Sequence, residues 1–146
     1  MDAFESTAIL LVEDSDADAE LIVRALTKGN VVNKLVRVRD GVEALEFVFR
    51  TGRYADRLGG NPRLIMLDLQ MPRLGGIDVL RRLKGDASSR TIPVVMLTSS
   101  AEERDVVESY KLGVNSYLVK PVEFAAFTAV VAQAGLYWAV MNRMPH

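Results

Sequence analysis

The sequence predicts an α/β fold: a doubly wound, five-stranded parallel sheet with five helices, in one domain spanning 1–146 with its core over about 8–141. Three observations predict it. The short apolar run AILLV has the composition of a strand buried on both faces, and RLIML and IPVVML also read as strands. Each run is followed by a segment whose apolar residues recur at helical spacing. Finally, 146 residues with 49% hydrophobic and 25% charged side chains make one ordinary domain with a real core.

In chain order, residues 8–12 form the first strand, and 16–28 a helix with Leu21, Ile22, Ala25 and Leu26 on its apolar side. Ser15 or Asp16 can cap that helix, and Gly29 or Asn30 ends it. Residues 34–38 alternate as a half-covered or edge strand, and 41–50 make a second helix with Val42, Leu45 and Phe49 on one stripe. The stretch 51–62 (TGRYADRLGGNP) is irregular and long for a helix-to-strand connection, so it is expected as a surface excursion. A strand at 63–67, a helix at 76–84, a strand at 92–97 and a charged helix at 102–112 follow. The last pair is a strand at 116–119 and a helix from 123 to about 142. Strand–helix alternation throughout implies right-handed crossovers. No linker divides the chain, and no output domain is expected after the last helix.

Composition removes several classes. Eighteen basic and nineteen acidic residues give a net charge of −1, which offers no overall attraction for nucleic acid or anionic lipid. Cysteine is absent and the only histidine is His146, so thiolate chemistry, sulfur-ligated metals and a serine-type triad are not expected. The first seven residues carry Asp2 and Glu5 with no apolar core, unlike a secretory signal. Residues 124–141 lack charge, but Thr128, Gln133, alanines and a glycine make them only weakly hydrophobic, which fits a helix buried on two sides better than a membrane span. A cytoplasmic protein is expected.

In a parallel sheet of this kind, ligands sit beyond the carboxyl ends of the strands. Those ends carry Glu13-Asp14, Arg39-Asp40, Asp68, Thr98-Ser99-Ser100 and Lys120-Pro121. Glu13, Asp14 and Asp68 would repel one another unless a cation joined them, and Mg²⁺ accepts a few carboxylates plus waters. Lys120 adds an ammonium and Thr98 a hydroxyl. A carboxylate ringed by a metal, an ammonium and a hydroxyl suits a phosphoryl group, with Asp68 as nucleophile and an acyl phosphate as product.

The pieces ILLVEDS, LIMLDLQMP, VVMLTSS and SYLVKP, in that order at strand ends, resemble the receiver domain of two-component response regulators over residues 8 to about 140. The resemblance implies a flavodoxin-like, receiver-type fold in which Asp68 takes a phosphoryl group from the phosphohistidine of a sensor histidine kinase. It implies Mg²⁺ on Asp14, Asp68 and the Gln70 backbone carbonyl, with Glu13 acting through water. Lys120 would pair with the phosphoryl group, Thr98 would move to bond it, and the Tyr117 rotamer would follow Thr98. Such a protein is not an enzyme in the usual sense, although it assists its own phosphorylation and dephosphorylation. Gly75 departs from the family, which often carries an acid before Gly76. The 51–62 insertion, the length and the Leu136-Tyr137-Trp138 ending resemble the stand-alone regulators paired with cyanobacterial and bacterial phytochromes.

Surfaces follow by position. Ala17, Asp18 and Leu21 on the first helix are the expected kinase-docking residues, with Leu21 alternatively buried. Gln70 and Ser100 flank the path of attacking water and should tune dephosphorylation. Val106, Tyr110, Phe127, Tyr137 and Trp138 are the expected surface of a homodimer. Plainer readings stand beside these: Asp68 as a helix cap, Lys120 as a solvated loop residue, Thr98 as strand filler, Tyr117 as a packed aromatic. The rival functions are a phosphorylation-independent dimeric interaction module with a vestigial site, a haloacid-dehalogenase-type phosphatase and a flavodoxin-like electron carrier. Gln70 stands where the phosphatase needs an acid, and EDSDADAE repels the anion that a flavin phosphate would bring. A DNA-binding regulator would need a further helix-turn-helix segment.

Overall fold

The computed structural model describes residues 8–29, 34–99 and 111–136. Five parallel strands form one sheet in the order β2-β1-β3-β4-β5: β1 (Ile9–Val12), β2 (Leu35–Val38), β3 (Leu64–Asp68), β4 (Val94–Thr98) and β5 (Ser116–Val119). The described residues hold four α-helices against the five expected: α1 (Asp16–Lys28), α2 (Gly41–Phe49), α3 (Gly76–Lys84) and α4 (Phe124–Gln133). Nearly all of the helix expected at 102–112 lies outside the described residues.

Side chains alternate along each strand, and that period of two builds two cores from one sheet. Leu10, Val12, Ile65, Leu67, Val94 and Met96 face α2 and α3, packing against Ala44, Leu45, Phe47, Val48, Val79, Leu80 and Leu83. Ile9, Leu11, Leu64, Met66, Val95 and Leu97 face α1 and α4, packing against Ala19, Ile22, Leu26, Phe127 and Val131. With both faces covered, β1, β3 and β4 are buried at every position. β2, as expected, is an edge strand and mostly half-buried.

Several expectations need correcting. Of the stripe expected on α2, Leu45 is buried and Phe49 packs half-buried against the core, but Val42 is exposed, and Gly41, Ala44, Phe47 and Val48 complete the buried face. β3 and β4 begin one and two residues later than predicted and run on to Asp68 and Thr98. The final helix stops at Gln133, well short of 142. Gly135 (φ +73°) turns left-handed there, its N–H reaching the Ala132 carbonyl at 3.1 Å and the Leu136 N–H reaching Val131 at 2.8 Å, which is a glycine-terminated helix end. Phe127 is wholly buried against the sheet, so it belongs to the core and not to a dimer surface.

The 51–62 insertion is not a loose excursion either. It holds a 3₁₀ turn (Gly52–Tyr54), and Arg57 is only 5% exposed. The Arg57 guanidinium lies 4.3 Å above the Phe47 ring, donates from Nε to the Phe47 carbonyl at 2.8 Å, and reaches the Gly60 carbonyl at 3.1 Å. Tyr54 meets the same ring edge-on at 5.1 Å. One buried arginine therefore ties the insertion to α2.

Candidate functional site

The parallel strands carry their chemistry past their carboxyl ends. The Glu13 N–H bonds the Val38 carbonyl at 3.1 Å, which prolongs β1 by one residue and buries the Glu13 side chain. Asp68 is the last residue of β3 and Thr98 the last of β4, and both are buried. The Lys120 N–H bonds the Thr98 carbonyl at 2.7 Å, and the Lys120-Pro121 peptide is cis. α3 starts hard against the end of β3: a Cβ on Gly76 would stand 2.4 Å from the Asp68 carbonyl oxygen, so only glycine fits.

Four of the expected residues converge. Glu13, Asp14 and Asp68 each offer a carboxylate oxygen, all within 4.8 Å of one another, with Asp14 exposed and the other two buried. Lys120 Nζ lies 2.9 Å from Glu13 Oε1, 3.0 Å from Asp18 Oδ2 and 3.5 Å from Asp68 Oδ2. Burial, with the Glu13 hydrogen bond and charge, pushes the Asp68 carboxyl up to about 7, against the opposing pull of Lys120 and the Gln70 amide. Burial alone would lower the Lys120 ammonium, but Glu13, Asp18 and Asp68 outweigh it and raise the group above its ordinary value. The Thr98 hydroxyl is buried with no hydrogen-bond partner among the described residues. Native interiors seldom leave such a group unpaired, and from the end of β4 this hydroxyl can donate to a ligand held at Asp68.

The donor set fits a hard divalent cation. Three carboxylates with one open to solvent leave room for waters, as Mg²⁺ requires, and no thiol or imidazole competes among the described residues.

Of the remaining expectations, Gln70 is exposed beside Asp68 and bonds it through its amide. Tyr117 is half-buried on β5 opposite Met96, against the α2/α3 core. Leu21 is 54% exposed and Ala17 is exposed, so α1 does present them. A cleft of about 420 Å³ lined by Asp18, Leu21, Ile22, Ser99, Lys120, Pro121 and Val122 opens from that helix toward the site. Ser100, Val106, Tyr110, Tyr137 and Trp138 lie outside the described residues.

Two features went unread in the sequence. Asp18 is a direct ion-pair partner of Lys120, and its signal was available: with Ser15 as N-cap, Asp18 occupies the third helical position, which points back at the strand ends. Arg37 was read only as part of an edge strand. Its Nε donates to the Glu13 carbonyl at 2.9 Å and its Nη1 to Asp16 at 2.7 Å, bracing the acidic loop between β1 and α1. The Arg37 and Arg39 guanidiniums hold the Asp16 carboxyl below its ordinary value.

Residues 9–132 match the family model of the response regulator receiver domain. The chain belongs to that family. The receiver is 37% identical over 146 residues to the probable methanogenesis regulatory protein FilR2 of Methanothrix harundinacea, covering 99% of this chain and 92% of that protein. It is 37% identical over 137 residues to the response regulator Rcp1 of Synechocystis sp., covering 94% and 92%. A crystal structure of the Mn(2+)-bound form of Rcp1 superposes with a TM-score of 0.73 at 36% identity, covering 96% of this chain and 99% of that one. The structure of the bacteriophytochrome response regulator AtBRR superposes with a TM-score of 0.86 at 49% identity, covering 95% and 99%. The receiver is thus a two-component response regulator similar to phytochrome response regulators. Among the described residues no helix is long and apolar enough to cross a membrane.

Proposed function

We propose that Asp68 is the phosphoacceptor of this receiver, that the site uses Mg²⁺, and that the donor is a sensor histidine kinase of the bacteriophytochrome type, acting in the cytoplasm. The observation that carries the reading is the buried Asp68 carboxylate, with an ammonium 3.5 Å away and, on the next strand end, a buried threonine hydroxyl with no hydrogen-bond partner among the described residues. Glu13, Asp14, Asp68 and the Gln70 carbonyl would hold the cation, Glu13 through water. When bound, Mg²⁺ supplies positive charge against the phosphoryl oxygens.

An Asp68 carboxylate oxygen attacks phosphorus, the P–N bond of the phosphohistidine breaks, and the imidazole nitrogen leaves with the electron pair. Lys120 compensates one phosphoryl oxygen and the Thr98 hydroxyl donates to another. Thr98 thereby gains a hydrogen-bond partner, and Tyr117 on β5 follows it. The kinase approaches over α1, where Asp18 and Leu21 line the cleft and Ala17 is exposed on the same helix. Gln70 and Ser100 set the access of hydrolytic water, and Val106, Tyr110, Tyr137 and Trp138 supply the surface of a homodimer.

Intact mass after incubation with Mg²⁺ and acetyl phosphate tests the core of this. One phosphoryl group should be added to the wild type, and none without Mg²⁺ or in Asp68→Asn. A mass gain that survives Asp68→Asn would overturn the reading, as would a wild type that neither gains mass nor binds beryllofluoride.

A further inference from the structure

The Lys120 ammonium has three N–H donors and three carboxylates around it: Glu13 at 2.9 Å, Asp18 at 3.0 Å and Asp68 at 3.5 Å. Only the first two are hydrogen bonds, so Glu13 and Asp18 hold the ammonium off Asp68, and closing on a phosphoryl oxygen there draws it away from one of them. Glu13 cannot release it cheaply. Its side chain is 0% exposed, and its Oε2 is fixed by the Ser15 N–H at 3.1 Å, so an abandoned charge would be left in the core. The Asp18 side chain is 41% exposed on the rim of the cleft, where water solvates a released carboxylate.

We propose that Asp18 is a positioning residue that competes with the incoming phosphoryl group for Lys120 and so restrains phosphorylation by small anionic donors. This rests on the reading of Asp68 as acceptor and adds a regulator to the same site. In the resting protein Asp18 holds Lys120 toward α1 and places a negative charge at the cleft mouth. During transfer from an acyl phosphate, the Asp68 oxygen bonds to phosphorus and the P–O bond to the acyl group breaks. The carboxylate product leaves with the electron pair, and Lys120 exchanges Asp18 for a phosphoryl oxygen. A donor escorted by a protein surface can neutralise Asp18 by contact, whereas a free acyl phosphate cannot.

The test follows phosphorylation by intact mass in the full chain with Mg²⁺ and acetyl phosphate, in wild type, Asp18→Asn, Asp18→Glu and Asp68→Asn. At low ionic strength Asp18→Asn should raise kcat/KM for phosphorylation about fivefold, chiefly through KM, as one like charge is removed within a few ångströms of the donor. Asp18→Glu, which restores the charge, should stay near wild type. At high salt the gain should shrink below about twofold as screening replaces the lost repulsion. An Asp18→Asn rate within about twofold of wild type at low salt overturns the proposal. So does an Asp18→Glu rate equal to that of Asp18→Asn, or a gain indifferent to salt. A wild type that takes no phosphoryl group, or an Asp68→Asn variant that takes one, instead removes the acceptor reading on which the proposal stands.

Discussion

Thr98→Val should make the resting receiver more stable while weakening its response to phosphorylation. Thr98 is 1% exposed and its hydroxyl has no hydrogen-bond partner among the described residues. Mutational data put the cost of a hydroxyl buried in this way at roughly 1–3 kcal/mol. Valine keeps the branched shape and the strand preference and replaces the hydroxyl by a methyl, whose burial adds about 0.8 kcal/mol. The low end of the first figure with the second gives a gain of about 2 kcal/mol, or about 6 °C in Tm for a domain of this size. In the proposed phosphorylated state the sign is opposite, because there threonine would donate to a charged oxygen, a bond contributing roughly 1.5–3 kcal/mol that valine cannot make. Thermal unfolding of both proteins, with and without Mg²⁺ and beryllofluoride, separates the two effects. The variant should melt higher without ligand and gain less from it. A variant that melts below wild type without ligand, or gains as much from beryllofluoride, would refute the reasoning.

Arg57→Met keeps the aliphatic bulk but removes the cation over Phe47 and the bonds to the Phe47 and Gly60 carbonyls. It should cost about 2 kcal/mol in a denaturant titration and leave acetyl phosphate labelling intact, and a loss under about 0.5 kcal/mol would show that Arg57 is not what anchors the insertion. Asp68 gives the pH dependence. Its carboxyl is raised from 3.8 to about 7 on folding, so between those values the folded chain binds more protons than the unfolded one, and the stability of the metal-free protein falls as pH rises. Asp68→Asn should flatten that fall and melt higher than wild type at pH 8 without metal; an unchanged slope in the variant would locate the titrating group elsewhere.

The site was legible because parallel sheets place chemistry at strand ends, and a carboxylate closing an apolar run stands out there. That logic located Glu13, Asp14, Asp68, Thr98 and Lys120 without coordinates. It placed Asp18 only as a kinase-docking residue and did not pair it with Lys120, which it reaches from the first turn of α1 across 102 residues of sequence. On a helix with Asp16 and Glu20 beside it, such a carboxylate reads as one more solvated charge. Phe127 failed for the opposite reason. Where α4 is apolar nearly all round, periodicity cannot tell the face carrying Phe127 and Val131 from the faces carrying alanines. Arg57 was hidden by its type, since arginine in a polar loop is ordinarily exposed. Gly135 was visible and was passed over because the apolar residues continue beyond it.

The insertion and the acidic loop also share a neighbour. Arg57 anchors the insertion to Phe47, in the later half of α2 and away from the strand ends. Tyr54 takes a different route: its hydroxyl donates to Glu43 at 2.6 Å, in the first turn of α2. Burial, and then the hydrogen bond and charge of Glu43, raise the Tyr54 phenol above its ordinary value, so it is a donor at neutral pH. The other Glu43 oxygen accepts the Arg39 N–H at 3.0 Å, and the Arg39 guanidinium pairs with Asp16, which Arg37 also binds while holding the Glu13 carbonyl. A contiguous polar chain thus runs from the insertion along edge strand β2 to the loop that carries Glu13 and Asp14. The Arg57 side chain bonds none of those groups, so Arg57→Met should cost stability while leaving the Tyr54–Glu43 bond in place. A change at Tyr54 or Glu43 instead alters the support of the residues that face Asp68.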